Sequence, residues 1–241
     1  ILPVDKPAGW TSFDVLAKLR GALGTRRLGH AGTLDPMATG VLAVFIGNAT
    51  AAADRQPDHD KTYEATIRLG LRTDTGDVTG TALETAPVTV GEAELKAVLP
   101  QFMGRQMQLP PMYSAVKING QPLYKLAREG VTVERKARPI EILDIRYGGS
   151  PVENEYVLTV RCSKGTYVRT LCHDLGRALG CGGCMSSLRR TRAGSFALSQ
   201  AVTMQQVLDF AAEHDPQELL MPVDAVFSVH PPLIVTLGQA A

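Results

Sequence analysis

The sequence of 241 residues has no apolar run long enough to cross a membrane as a helix. Nor does it open with the basic-then-apolar pattern of a signal peptide. A cytoplasmic protein is the expectation. There is no low-complexity tract, although 15 prolines and 23 glycines point to many loops. Neither the P-loop string nor the glycine fingerprint of a dinucleotide site occurs, so phosphate-handling and hydride-transfer enzymes find no support. The four cysteines are Cys162, Cys172, Cys181 and Cys184. Cys181 and Cys184 have zinc-knuckle spacing, but the other two stand ten positions apart, not as a second short pair. Buried reduced thiols are therefore expected, and no metal. The acidic string Leu71 to Asp77 lacks the spacing and closing glutamate of an EF-hand and is expected to be a polar turn.

Net charge is nearly absent as well, at +1, but the charges are segregated. Residues 105–138 carry seven Lys/Arg against two acids, and residues 161–192 carry seven against one. Residues 51–94 carry four against nine, and residues 199–241 none against five. Such a distribution predicts one positive face on a neutral molecule, which suits a polyanion. With 44% hydrophobic residues, the chain can build one large core, or one core plus a small appendage.

The most informative stretch is Gly29-His30-Ala31-Gly32-Thr33-Leu34-Asp35-Pro36-Met37-Ala38-Thr39-Gly40. It is a glycine-punctuated loop that feeds the apolar run Val41 to Ile46, a strand covered on both faces. The proline after Asp35 pushes that residue toward extended backbone and holds one carboxylate on the lip of a core strand. Turn chemistry alone accounts for an Asp-Pro at such a place.

Around this loop the chain alternates strands and short helices. Residues 2–6 read as a strand, and Thr11 with Asp14 has capping-box spacing before a helix over 12–22, marked by Phe13, Leu16 and Leu19. Arg26 and Arg27 precede the loop, where they could meet a phosphate. Residues 61–69 alternate as a half-buried strand with Tyr63, Ala65, Ile67 and Leu69 on one side. Residues 91–99 form a short helix. Residues 105–138 are basic, stiffened by Pro110-Pro111, and carry Tyr113 and Tyr124, the composition of an RNA-gripping flap inserted between strands. Strands over 139–147 and 155–162 are expected around a Gly148-Gly149 turn. A helix from Val168 to Gly180 places Arg169 in its first turn, where the helix dipole does not favour a cation, so a partner anion is expected. Thr203 and Gln206 cap a last helix, and Pro231 to Gly238 reads as a lone strand.

The twelve-residue string at His30 and Asp35 resembles the catalytic motif of the TruB-type tRNA pseudouridine synthases. Ser163-Lys164-Gly165-Thr166-Tyr167-Val168-Arg169 resembles that family's second motif, and the likeness extends from Leu2 to Thr191. It implies an α+β protein of the pseudouridine synthase fold, a mixed, largely antiparallel sheet flanked by helices, with a basic inserted flap. The catalytic domain would span residues 1–228, with 105–138 gripping RNA and 229–241 opening a small C-terminal RNA-binding β domain. The resemblance further implies that Asp35 is the nucleophile and that Arg169 pairs with it. Tyr63 would pack on the target base and is a candidate to take the proton from C5. His30 would position substrate, with a general-base role as the alternative. Leu188 would line the base pocket, and Lys164, Arg189 and Arg190 would meet phosphate.

The implied reaction converts uridine 55 in the TΨC arm of tRNA to pseudouridine. It needs no redox change, nucleotide, metal or other cofactor. The implied enzyme is a monomer with tRNA as its partner, no membrane and no obligatory protein partner. A non-catalytic tRNA-folding chaperone and the catalytic subunit of a guide-RNA complex are the alternatives.

Overall fold

In the computed structural model of the chain, residues 1–227 are described. The segment 229–241, with its expected strand, lies outside the described residues. Strand β1 (Leu2–Lys6) leads into helix α1 (Ser12–Ala22). The Thr11 Oγ1 accepts from the Asp14 N–H at 3.0 Å, and Asp14 Oδ2 accepts from the Thr11 N–H at 2.8 Å. That box satisfies two donors at the helix start. Val15, Leu16 and Leu19 form its buried face, while Phe13 is exposed beneath the Arg20 guanidinium. Strands β2 (Leu28–His30) and β3 (Thr39–Ile46) pair antiparallel across the glycine-rich loop.

Strand β4 (Lys61–Leu69) continues into a small hairpin of β5 (Leu71–Thr73) and β6 (Ala82–Thr85). The expected turn at 71–77 is thus partly strand, and Asp77 is buried, not solvated. Helix α2 (Glu92–Val98) precedes β7 (Gly104–Gln108). A short hairpin, β8 (Lys117–Ile118) with β9 (Gln121–Pro122), and α3 (Leu123–Arg128) fill the basic excursion. Both ends of the 105–138 segment are ladder strand, because Gln108 pairs with Arg138, so the excursion from the sheet spans 109–137.

Strand β10 (Arg138–Val152) and β11 (Glu155–Cys162) form the long hairpin. Its turn is not at Gly148-Gly149. The ladder runs on through a bulge at Gly149 and closes at Glu153-Asn154, where Asn154 takes φ 61°. Asparagine tolerates that left-handed backbone, and glycines within a strand suit a bulge. Helix α4 (Val168–Ala178), β12 (Gly183–Ala193), β13 (Phe196–Ala197), β14 (Val202–Thr203) and α5 (Met204–Glu213) complete the described chain.

The main sheet runs β14-β1-β3-β12-β4-β11-β10-β7, with β2 on β3 and β13 on β12. It is antiparallel except where β14 meets β1 and β12 meets β3. Alternate residues of β3 face opposite ways. Leu42 and Val44 pack under α1 and α5, while Val41, Ala43 and Phe45 pack with Phe196 and Val226 on the other side. That double cover explains the unbroken apolar run. A third cluster joins Ala65, Ile67, Leu158 and Val160 of the sheet to Leu171, Cys172 and Leu175 of α4. All four cysteines are buried and unbridged.

Candidate active site

The loop from Ala31 to Ala38 is held from several sides. Ser12, the first residue of α1, accepts from the Leu34 N–H at 3.0 Å and donates back to the Leu34 carbonyl at 3.3 Å. Pro36 O accepts from the Gly9 N–H at 2.8 Å and from Lys6 Nζ at 3.2 Å. Lys6 Nζ also donates to Pro7 O at 2.8 Å and Trp10 O at 2.6 Å. From the other side Arg190 donates to Val41 O at 2.7 Å, Gly32 O at 3.0 Å and Thr33 O at 3.5 Å.

Lys6 and Arg190 are both fully buried, a costly state for a cation unless its donors are engaged. Backbone carbonyls engage them here. Burial pushes the Lys6 ammonium down to about 8, against the opposing pull of Asp35. The expected role of Arg190 at phosphate is therefore corrected: its guanidinium faces the loop's carbonyls, not solvent. Gly40 makes this possible. A Cβ there would lie 2.2 Å from the Arg190 carbonyl oxygen, and its φ is +100°.

Asp35 sits at the open side of this loop with its side chain 34% exposed. Arg169 reaches it across the cleft in a bidentate pair, Nε to Oδ2 at 2.9 Å and Nη2 to Oδ1 at 3.2 Å. Two parallel charge-assisted bonds fix the carboxylate's orientation as well as its position. Arg169 also donates to Thr75 O at 2.8 Å and Tyr113 O at 2.7 Å. The helix that carries it lies close on the sheet, because a Cβ at Gly176 would fall 2.2 Å from the Gly183 nitrogen.

A second carboxylate, Asp77, lies 3.9 Å from Arg169 Nε and is itself buried. Thr79 N–H and Thr75 Oγ1 both donate to its Oδ1, at 3.0 Å each. The partner anion expected for Arg169 is thus two carboxylates. Sequence reasoning missed the second. The alternation of Thr and Asp from Thr73 to Thr79 was the available signal, since short hydroxyl residues commonly anchor a turn carboxylate.

Asp35, Arg169, Tyr63, His30, Leu188, Lys164 and Arg190 all line one cleft of about 560 Å³. Tyr63 is buried opposite Arg190 in the β4–β12 ladder, and burial raises its phenol so that it stays protonated at neutral pH. Burial lowers His30, with the Arg190 charge pushing the same way. Burial also lowers Lys61 on the same wall. Arg189 is absent from the cleft lining. It bonds Asp5 Oδ2 at 2.7 Å and Thr39 Oγ1 at 3.1 Å, with its side chain 38% exposed. Arg27, expected near phosphate, is held by Asn48 and Thr50.

The mixed, mostly antiparallel sheet flanked by helices is the pseudouridine synthase fold. A chain in the crystal structure of a Cbf5-Nop10-Gar1 complex superposes with TM-score 0.72 at 29% identity, covering 93% of this chain and 60% of that one. A chain of the archaeal box H/ACA sRNP Nop10-Cbf5 complex gives TM-score 0.69 at 25% identity, over 93% and 60%.

Within that class the chain belongs to the TruB family. The model of the TruB family pseudouridylate synthase N-terminal domain matches residues 20–168, and that of the tRNA pseudouridylate synthase B C-terminal domain matches 169–228. Asp35 falls in the first and Arg169 opens the second. The tRNA pseudouridine synthase B of Pseudomonas aeruginosa is 49% identical over 230 residues, 93% of this chain and 75% of that protein. That of Aromatoleum aromaticum is 48% identical over 241 residues, 100% of this chain and 77% of the other.

Proposed function

We propose that this chain isomerises uridine 55 in the TΨC arm of tRNA to pseudouridine, with Asp35 as the nucleophile on an everted uridine. The observation that carries the reading is the bidentate Asp35–Arg169 pair, set on a tethered loop at the mouth of a cleft of nucleoside size.

The reaction breaks the bond between N1 and C1′, turns the uracil, and forms a bond from C5 to C1′. The proton on C5 must leave, and N1 ends with a proton, so nothing is oxidised or reduced. An ionised carboxylate can serve as nucleophile toward C1′ or toward C6 of the base. Arg169 aims Asp35 and balances its charge, and it keeps Thr75 O, Tyr113 O and nearby Asp77 when the carboxylate engages substrate. Tyr63 and Leu188 supply a low-polarity bed for the detached base, and Tyr63 is the candidate to receive the C5 proton in a relay, its oxygen taking that proton as its own phenolic proton passes on to water, since a neutral phenol is not itself a base. His30, neutral at pH 7 by its lowered pKa, fits a positioning role against the RNA. Lys164, on the cleft rim, suits a phosphate. Arg189, half-turned to solvent but paired with Asp5, is the weaker phosphate candidate.

Base eversion costs a few kcal/mol, which binding to the stem-loop must supply. The basic flap, proposed as residues 105–138 of a catalytic unit spanning 1–228, would do so as a lid over a stem-loop read by shape. The proposed form is a cytoplasmic monomer; no helix among the described residues is long and apolar enough to cross a membrane.

Asp35→Asn tests the reading. Nearly isosteric, it should lower pseudouridine formation at position 55 by at least about a thousandfold while the protein stays folded and RNA-bound. Product analysis of a TΨC stem-loop is the readout. Full activity in the variant, or none in wild type, sinks the proposal.

A further inference from the structure

Three buried polar side-chain atoms among the described residues have no hydrogen-bond partner: His30 Nδ1, Ser114 Oγ and Arg135 Nε. Two of them, His30 and Ser114, line the catalytic cleft. His30 already has a proposed positioning role. Ser114 has none.

Ser114 belongs to the flap and is 5% exposed. Its backbone is fully engaged. Its N–H donates to Met112 O at 2.9 Å, and its carbonyl accepts from the Tyr124 N–H at 3.0 Å. A serine kept for its turn would return its hydroxyl to nearby backbone. This one does not, although leaving a buried hydroxyl unpaired is unfavourable. The residue before it, Tyr113, gives its carbonyl to Arg169 Nη2 at 2.7 Å, so Ser114 is seated directly beside the Asp35–Arg169 pair. Gln108 fixes the flap's entry. Its amide donates to Tyr167 O at 3.0 Å and accepts from the Tyr167 N–H at 2.8 Å, one residue ahead of the helix that carries Arg169. A doubly anchored segment therefore holds the hydroxyl in the lining of the cleft, one residue from the carbonyl that Arg169 grips and without a protein partner.

We propose that Ser114 is a substrate-contacting residue whose hydroxyl hydrogen-bonds the everted nucleotide. The inference rests on the isomerase reading above. It assigns to the flap a contact at the reacting nucleotide, in addition to any grip on the RNA backbone. No protein group pairs with the hydroxyl. Substrate satisfies it, so closure over an everted nucleotide is favoured over closure on nothing.

Ser114→Ala tests this with three independent readouts. Because no protein hydrogen bond is lost, the melting temperature should hold or rise. Pseudouridine formation on a TΨC stem-loop should fall about tenfold in kcat/KM, seen also in the single-turnover rate at saturating RNA. Affinity for the stem-loop, set mainly by phosphate contacts, should stay within about twofold. Unchanged kcat/KM overturns the proposal. So does a melting temperature that drops in step with activity, which marks a structural hydroxyl. So does a loss confined to affinity with the saturated rate intact, which places the contact elsewhere on the RNA. Wild-type protein runs alongside: if it is inactive, the isomerase reading fails first, whereas active wild type with an equally active variant sinks this proposal alone.

Discussion

The loop that carries Asp35 and the basic excursion over residues 109–137 are both glycine- or proline-marked segments, yet they are held in opposite ways. Residues 31–38 are gripped by two fully buried cations, by Ser12 and by the Gly9 amide, so the backbone around the carboxylate has little room to move. Residues 109–137 are mostly exposed and attach to the body at few points, chiefly Gln108 to Tyr167, Tyr113 to Arg169 and, at longer range, Thr170 to Leu109 at 3.5 Å. The contrast fits a division of labour. A nucleophile gains from a fixed geometry, since small misplacements are expensive in rate. A segment proposed as a lid must yield for RNA to enter, and lids are commonly drawn from the less stable parts of a fold.

The sharpest way to break this contrast is to cut one tether in each region. Arg190→Leu removes the donor from three carbonyls and leaves them buried. It should destabilise the whole protein by about 3 kcal/mol or more in urea unfolding, with activity lost alongside. Gln108→Leu cuts the flap's anchor. It should cost about 1 kcal/mol in the same assay yet lower kcat/KM about tenfold, through a flap that no longer seats beside Arg169. If the two variants lose equal stability, the regions are not held differently.

A finer probe is pH. His30 borders the tethered loop, and its folded-state pKa is depressed below the ordinary 6.5 by burial. The unfolded chain then takes up a proton that the folded one refuses, so stability is lost as pH falls from about 6.5 through the folded value. His30→Gln should flatten that part of the stability–pH curve, an effect smaller than either tether loss.

Much of this was readable in the residue string. Capping boxes at Thr11 and Thr203, the doubly covered run Val41 to Ile46 and the alternation from Tyr63 to Leu69 all rest on local periodicity, and they stand as expected. The juxtaposition of Asp35 with Arg169, 134 positions apart, was legible through family likeness and an ill-placed helix cation. The cation cradle was not. Lys6 and Arg190 bond backbone carbonyls, which every residue possesses and no pattern marks. Asp77 was hidden for a related reason, because its partners are a turn's own threonines and an arginine from a distant helix. The hairpin turn was misplaced because a glycine pair suits a bulge as well as a bend.

The place of β12 has a further consequence for synthesis. It lies between β3 and β4, bonded to both, and Arg189 meets Thr39 across 150 positions of chain. On the ribosome, everything up to α4 emerges before the strand that closes the centre of the sheet and brings Arg190 against the loop that carries Asp35. A nascent polypeptide stalled short of that strand would hold Asp35, Tyr63 and Arg169 but lack Leu188 and the floor that keeps the loop in place. Catalytic competence would then arrive late and all at once, as translation passes the codons of a single strand.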